Sequence, residues 1–145
     1  MPRELRAVIK GKVLSDAESL EHYSKDGSVF RVQPWAVVLP SGVEDVVNLV
    51  KWVSAKKQNS KFQIPNSKLS ITCRGKGTDQ CGGPLGDGII LRFPGYLDKI
   101  LEVALLESVP ALARPPGLRD GLALTGFVRV QPGVLWGDLF TELDK

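Results

Sequence analysis

Leu69-Ser70-Ile71-Thr72-Cys73-Arg74-Gly75-Lys76-Gly77-Thr78-Asp79-Gln80-Cys81-Gly82-Gly83 runs from a short apolar segment straight into a glycine-rich turn. The first five residues predict a buried strand. Six of the fifteen glycines of the chain fall between Gly75 and Gly88. Glycine at this density lets a backbone turn sharply and aim several N–H groups into one concavity. Such a concavity binds anions, phosphate above all. Arg74 and Lys76 add positive charge beside it. The plainer reading of the same residues is a surface turn between two strands, and the flanking sequence weighs between them.

Upstream, Trp35-Ala36-Val37-Val38-Leu39 is a continuous apolar run bounded by Pro34 and Pro40, which predicts a short buried strand. Ser41 with Glu44 three residues later has the spacing of a capping box. Val43, Val46, Val47, Val50 and Val53 then recur at helical spacing and predict the apolar face of a helix. Lys51, Lys56 and Lys57 gather toward its C-terminus, where the helix dipole favours cations. The helix is expected to end near Lys57, before a polar loop at 58–68. Nearer the N-terminus, residues 16–21 predict a helical turn capped by Ser15 or Asp16. Tyr23 to Ser28 form a turn centred on Asp26-Gly27.

Downstream, a second strand is expected at 88–92, and 96–103 reads as a short helix or an extended edge. Residues 104–126, with Pro110 and Pro115-Pro116, read as a loop or insertion with one helical turn near 108–113. Phe127-Val128-Arg129-Val130-Gln131 alternates as a strand does, Pro132-Gly133 is a turn, and Leu135-Trp136 opens a helix. The expected fold class is α+β. A small βαβ subdomain of about three strands occupies 1–103, and a second, mainly antiparallel subdomain begins over 127–145.

With 145 residues the chain is long enough for one domain with a real core. A net charge of +3, from 19 basic and 16 acidic residues with no basic stripe, argues against a nucleic-acid partner. No apolar run reaches the roughly 18–20 residues that span a bilayer. Met1-Pro2-Arg3-Glu4 and the mixed polar sequence after it do not read as a secretory signal. Cys73 and Cys81 are not spaced as metal ligands, and two reduced cysteines suit a cytoplasmic protein. His22 is the only histidine and reads as a surface residue. Trp35 and Trp136, large and apolar beside turns, are expected to pack in the core.

Familiar nucleotide motifs fail on spacing. A Rossmann fingerprint needs glycine where Gln80 stands, and a Walker A loop needs lysine and threonine adjacent, whereas Gly77 separates Lys76 from Thr78. A phosphate held by the loop's own N–H groups remains.

Taken in order, Val37-Val38-Leu39-Pro40-Ser41-x-x-Glu44-Asp45-Val46, Arg74-Gly75-x-Gly77-Thr78, Gly82-Gly83, Ile89-Ile90-Leu91 and Val130-Gln131-Pro132-Gly133-Val134-x-Trp136 resemble the FAD-binding domain of the vanillyl-alcohol oxidase (PCMH) type. That superfamily of FAD-linked oxidases includes D-lactate dehydrogenases and glycolate oxidase subunits. Tyr23-Ser24-x-Asp26-Gly27-Ser28-Val29-Phe30 looks like the N-terminal part of its bacterial and archaeal members, several of which are joined to an iron–sulfur domain. The match covers about residues 10–103 and 127–143. The resemblance implies FAD as cofactor, with Arg74, Gly75, Lys76, Gly77, Thr78 and Asp79 at its diphosphate and Gly82 and Gly83 closing the turn. Asp79 could instead stabilise the turn, and Arg74 could pair with a nearby carboxylate. Some relatives tether the flavin through a histidine where Thr78 stands, so the expected FAD is non-covalent.

In the full enzyme the implied reaction is oxidation of a small 2-hydroxy acid such as D-lactate or glycolate, with electrons passing on to an acceptor that includes an iron–sulfur domain or subunit. Members continue past the matched region into a substrate domain. This chain is therefore expected to be a truncated portion, and no catalytic residue and no metal ligand are assigned within it. The alternative from another class is a non-catalytic nucleotide- or phosphate-binding module or partner subunit. A reductase of cell-wall precursor synthesis shares the fold but carries Gly-Ser-Asn after its glycines, which Thr78-Asp79 does not match.

Overall fold

A computed structural model describes residues 2–58, 66–105 and 126–144. The chain opens with a short helix, α1 (Pro2–Arg6), and a three-residue strand, β1 (Lys12–Leu14). Next come α2 (Ala17–Tyr23), β2 (Ala36–Leu39) and the long helix α3 (Val43–Gln58). β3 (Ile71–Arg74) and β4 (Ile89–Arg92) bracket the glycine-rich turn, and β5 (Ile100–Leu105), β6 (Gly126–Val130) and α4 (Trp136–Leu143) follow.

The first sheet has the order β1-β2-β4-β3, and β5 and β6 form a separate antiparallel pair. β4 pairs in parallel with both β2 and β3, while β1 runs antiparallel on the β2 edge. The fold is α+β, as the sequence predicts. The sheet holds four strands rather than about three, because β1 is three residues with one buried side chain and leaves no periodic signal. Of the stretch at 96–103, residues 100–103 take the extended alternative as part of β5, and 96–99 form neither helix nor strand. The helical turn expected near 108–113 lies outside the described residues.

β2 is buried on both faces, which is why it reads as a continuous apolar run instead of an alternating one. Ala36 and Val38 face one cluster with Leu5, Val13, Leu49, Trp52, Ile89 and Leu91. Val37, Leu39 and Ile90 face the other, under Leu20, Tyr23 and Tyr96. Helices thus cover the sheet from both sides. Trp35 packs where expected, stacked on Trp52 with ring centroids 6.4 Å apart.

α3 forms where predicted but buries only part of the predicted face: Val53 is buried and Val46 packs against the core. Val43, Val47 and Val50 are 66%, 43% and 52% exposed, whereas Asp45, Leu49, Trp52 and Val53 are buried. The helix carries two apolar stripes, and the one with leucine and tryptophan removes more area from water. The capping box does not form either: the Glu44 carboxylate lies 2.7 Å from Lys10 Nζ. Asp45 takes its place. Its Oδ1 accepts from Lys10 N at 2.7 Å, and its Oδ2 accepts from Gly11 N at 2.9 Å and from Ser41 N and Oγ at 2.7 Å each. Burial alone would raise the Asp45 pKa, but these bonds outweigh it and hold the carboxyl below its ordinary range. The carboxylate pins the turn before β1 to the start of α3. At α2 the cap is Asp16, whose side chain accepts from Ser19 N. Among the described residues, no helix is long and apolar enough to cross a membrane.

Candidate functional site

The glycine turn leaves the carboxyl end of β3, on the edge of the parallel strands where α/β sheets commonly hold ligands. Gly77 and Gly82 have φ of +81° and +80°, so the backbone passes twice through the left-handed region. Between them, Asp79 Oδ1 accepts from Cys81 N at 2.7 Å and from Gly83 N at 3.2 Å. Asp79 therefore shapes the turn as an Asx residue, and that oxygen faces the loop's own amides. Gly82 lies under the Phe30 ring, 3.0 Å from Phe30 Cδ2 to where its Cβ would be.

The amides of Lys76, Gly77, Thr78, Asp79 and Gln80 donate no hydrogen bond among the described residues. Lys76 and Thr78 are exposed, and Lys76 makes no ion pair among those residues. Five donors and an ammonium with no partner among the described residues sit along one short segment.

Two recesses open on this segment. One, of about 340 Å³, is bordered by Cys73, Gly75, Lys76, Gly77, Thr78, Asp79, Gly83 and Pro84. The other, of about 470 Å³, runs from Gly75, Lys76 and Thr78 past Pro94 to residues 132–138. Its far wall is the N-terminus of α4. The capping position there is Leu135, whose side chain makes no cap hydrogen bond. Among the described residues the first-turn amides of α4 have no side-chain acceptor, and the positive end of the helix dipole borders the recess. Val130 to Val134 and Trp136 count toward the resemblance read from the sequence, but none of them is assigned there to the site; a second local signal was a helix start without a serine, threonine, aspartate or asparagine at the cap. Trp136, expected in the core, is instead 74% exposed on this wall, with its ring against Phe140. Asp138 in the same first turn is exposed and opposes an anion.

The wall is held in place by backbone. Gly133 N donates to Leu97 O at 2.6 Å, and Gln131 N donates to Lys99 O at 2.9 Å. A Cβ on Gly133 would stand 2.6 Å from both Leu97 O and Phe93 O, so only glycine fits this crossing.

Arg74 behaves unlike its neighbours. It is 5% exposed and points beneath the turn. Nη2 donates to Lys25 O at 2.7 Å, and Nη1 donates to Tyr23 O at 3.3 Å. Cζ lies 5.4 Å from the centroid of the Tyr23 ring. Burial pulls the guanidinium pKa down, with the Asp26 carboxylate partly offsetting it. Cys73 and Cys81 are free thiols on the surface. His22 is exposed, edge-on to Tyr23 at 4.9 Å, and borders neither recess.

The arrangement suits a polyanion that two walls can grip at once: main-chain donors and Lys76 on one side, an uncapped helix end on the other. Among the described residues, the turn and recess border hold no histidine, and their carboxylates are Asp79, engaged with amides, and the exposed Asp138.

No protein-family model matches the chain. Over 56 residues it is 43% identical to D-2-hydroxyglutarate dehydrogenase of Stutzerimonas stutzeri (strain A1501), covering 37% of this chain and 12% of that protein. The enzyme of the same name from Pseudomonas putida is 28% identical over 98 residues, 68% of this chain and 9% of that protein. That of Escherichia coli (strain K12) is 28% identical over 112 residues, 77% of this chain and 8% of that protein. The chain is thus similar to D-2-hydroxyglutarate dehydrogenases, and it spans no more than 12% of the length of these curated relatives.

Proposed function

We propose that this chain is the FAD-holding portion of a flavin-dependent oxidoreductase that acts on a 2-hydroxy acid, with the FAD bound non-covalently. Residues 1–103 and 127–145 are read as two parts of one FAD-binding domain that meet at the larger recess. The observation that carries the reading is the row of undonated amides at residues 76–80 opposite the uncapped start of α4. The similarity to D-2-hydroxyglutarate dehydrogenases supports a 2-hydroxy acid as the substrate class.

The residues present fit a dinucleotide diphosphate. Gly75, Lys76, Gly77 and Thr78 face it, with main-chain N–H groups as the principal donors and the Lys76 ammonium as the mobile charge. Asp79, Gly82 and Gly83 shape the turn, and Asp79 turns Oδ1 into its own loop, which lowers the repulsion a free carboxylate would exert. The first turn of α4 lends partial positive charge from the other side. When bound, FAD supplies the hydride-accepting centre for oxidising the carbon that bears the hydroxyl. This chain's own contribution is to bind, orient and partly desolvate the cofactor, and none of its residues is given a catalytic role.

The test is flavin retention. The full chain is purified in the presence of FAD and passed through a desalting column. Flavin absorbance that co-elutes with protein, and that is released as free FAD on denaturation, is the expected result. A colourless protein whose melting temperature is indifferent to FAD and to ADP refutes the reading. Stabilisation by ADP without retention of FAD replaces it with a simple nucleotide-binding module.

A further inference from the structure

We propose that Arg74 is a positioning residue that holds the glycine turn through the main chain of residues 23–25 and does not itself touch the diphosphate. This deepens, and rests on, the reading of the turn as a diphosphate site. A cation at the mouth of a glycine-rich turn invites assignment as a phosphate ligand. The geometry points the other way.

The guanidinium is sandwiched. Below it lie the Tyr23 ring, 5.4 Å from Cζ to the centroid, and the carbonyls of Tyr23 and Lys25 at 3.3 and 2.7 Å. Above it lies Gly77, where an added Cβ would come within 2.5 Å of Arg74 Cζ. The turn at Asp26 and Gly27 reaches the loop directly as well: a Cβ on Gly27 would stand 2.9 Å from Thr78 O and 3.0 Å from Asp79 O. Asp26 Oδ1 accepts from Ser28 N at 2.8 Å, which fixes that turn, while Asp26 Oδ2 is buried with no hydrogen-bond partner among the described residues.

Arginine suits the position because one planar fork spans two carbonyls and stacks on a ring, and lysine offers neither. Tyr23 and Lys25 are about fifty residues away in sequence, so the guanidinium converts the N-terminal turn into the floor of the site. With its donors turned down, Arg74 leaves the outward face of the loop to the amides and Lys76.

The experiment uses the full chain with 15N label in backbone and arginine side chains, and ADP as the probe. The expected result is that ADP shifts the amide resonances of residues 76–80 and leaves the Arg74 Nε and Nη resonances in place. In the ligand-free protein, Arg74→Lys moves the Gly27 and Thr78 amides together, because both lose the same support. Tyr23→Leu, which removes the ring but no hydrogen bond, produces the same paired shift and serves if Arg74→Lys does not fold. Arg74→Lys also weakens ADP binding by roughly tenfold, the effect of about one charge-assisted hydrogen bond. The salt dependence of binding persists in Arg74→Lys and flattens in Lys76→Met.

Arg74 side-chain resonances that follow ADP as strongly as the Lys76 amide overturn the proposal. So do Gly27 and Thr78 amides that stay put in both variants. If ADP shifts no resonance at all, the diphosphate reading fails, and the ligand-free paired shift still decides whether Arg74 clamps the turn.

Discussion

Two glycines of one turn, two residues apart, are predicted to respond to the same substitution in opposite ways. At Gly77 the backbone has φ of +81°, and a Cβ would run into the Arg74 guanidinium. Left-handed backbone costs a residue with a side chain about 1–2 kcal/mol. Pushing the guanidinium off its carbonyls adds about 1.5–3 kcal/mol for each charged hydrogen bond lost. With one of the two carbonyl bonds lost, Gly77→Ala should therefore destabilise by about 2.5–5 kcal/mol, a large share of the roughly 5–15 kcal/mol that holds a domain together. At Gly75 a Cβ meets nothing within 4 Å, and the residue is not among those with positive φ. Gly75→Ala should leave stability within about 1 kcal/mol, with a small gain from the stiffer unfolded chain. Its methyl group would, however, project where Gly75 borders both recesses. Even about 1 kcal/mol of overpacking against a bound diphosphate is roughly a fivefold loss of affinity. Urea titrations of both variants, paired with ADP binding by calorimetry, measure the contrast. A Gly77→Ala midpoint within error of wild type, or a Gly75→Ala protein that binds ADP as wild type does, refutes the reasoning.

Three further outcomes follow from the same geometry. Asp45→Asn retains one acceptor oxygen of the two that receive four hydrogen bonds, and should cost about 2–4 kcal/mol in urea unfolding. The Asp45 pKa is depressed in the fold, so the wild-type contribution is complete above the ordinary carboxylate range, near pH 4, and is lost as pH falls through the folded value; an acid-unfolding curve unchanged by Asp45→Asn contradicts this. Asp138→Asn removes a negative charge from the α4 end of the larger recess, and ADP affinity should rise about twofold to fivefold at low salt, with no gain expected in 1 M salt. Gly133→Ala forces a Cβ into Leu97 O and Phe93 O, and should weaken ADP binding by detaching the α4 wall, seen as a lost response of Trp136 fluorescence to ADP.

How far the fold could be read from sequence depended on whether the deciding contact was local. β2 was legible because four buried residues lie between two prolines. Asp79 was legible as one of two alternatives because an Asx turn is made within four residues. The existence of α3 was legible, but its rotation only in part, through Val46 and Val53. Its valines and its Leu49–Trp52 stripe are both periodic, and only the sheet beneath and the amides of Lys10 and Gly11 choose between them. β1 was too short to show a period. The site followed the same rule. The glycine turn was visible directly, whereas the direction in which Arg74 points depends on Tyr23 and Lys25. The α4 wall faces the turn because Gly133 bonds Leu97 across a long stretch of chain, and no local pattern announces that contact.

The central claim is that the main-chain amides at residues 76–80 are the donors for a diphosphate. Residue-resolved hydrogen exchange of those amides, with and without saturating ADP, tests it most directly. The account predicts fast exchange in the free protein, where they donate to nothing among the described residues, and slowing of at least about tenfold when ADP is bound. Exchange that is already slow without ligand, or that stays fast at saturation, would contradict it.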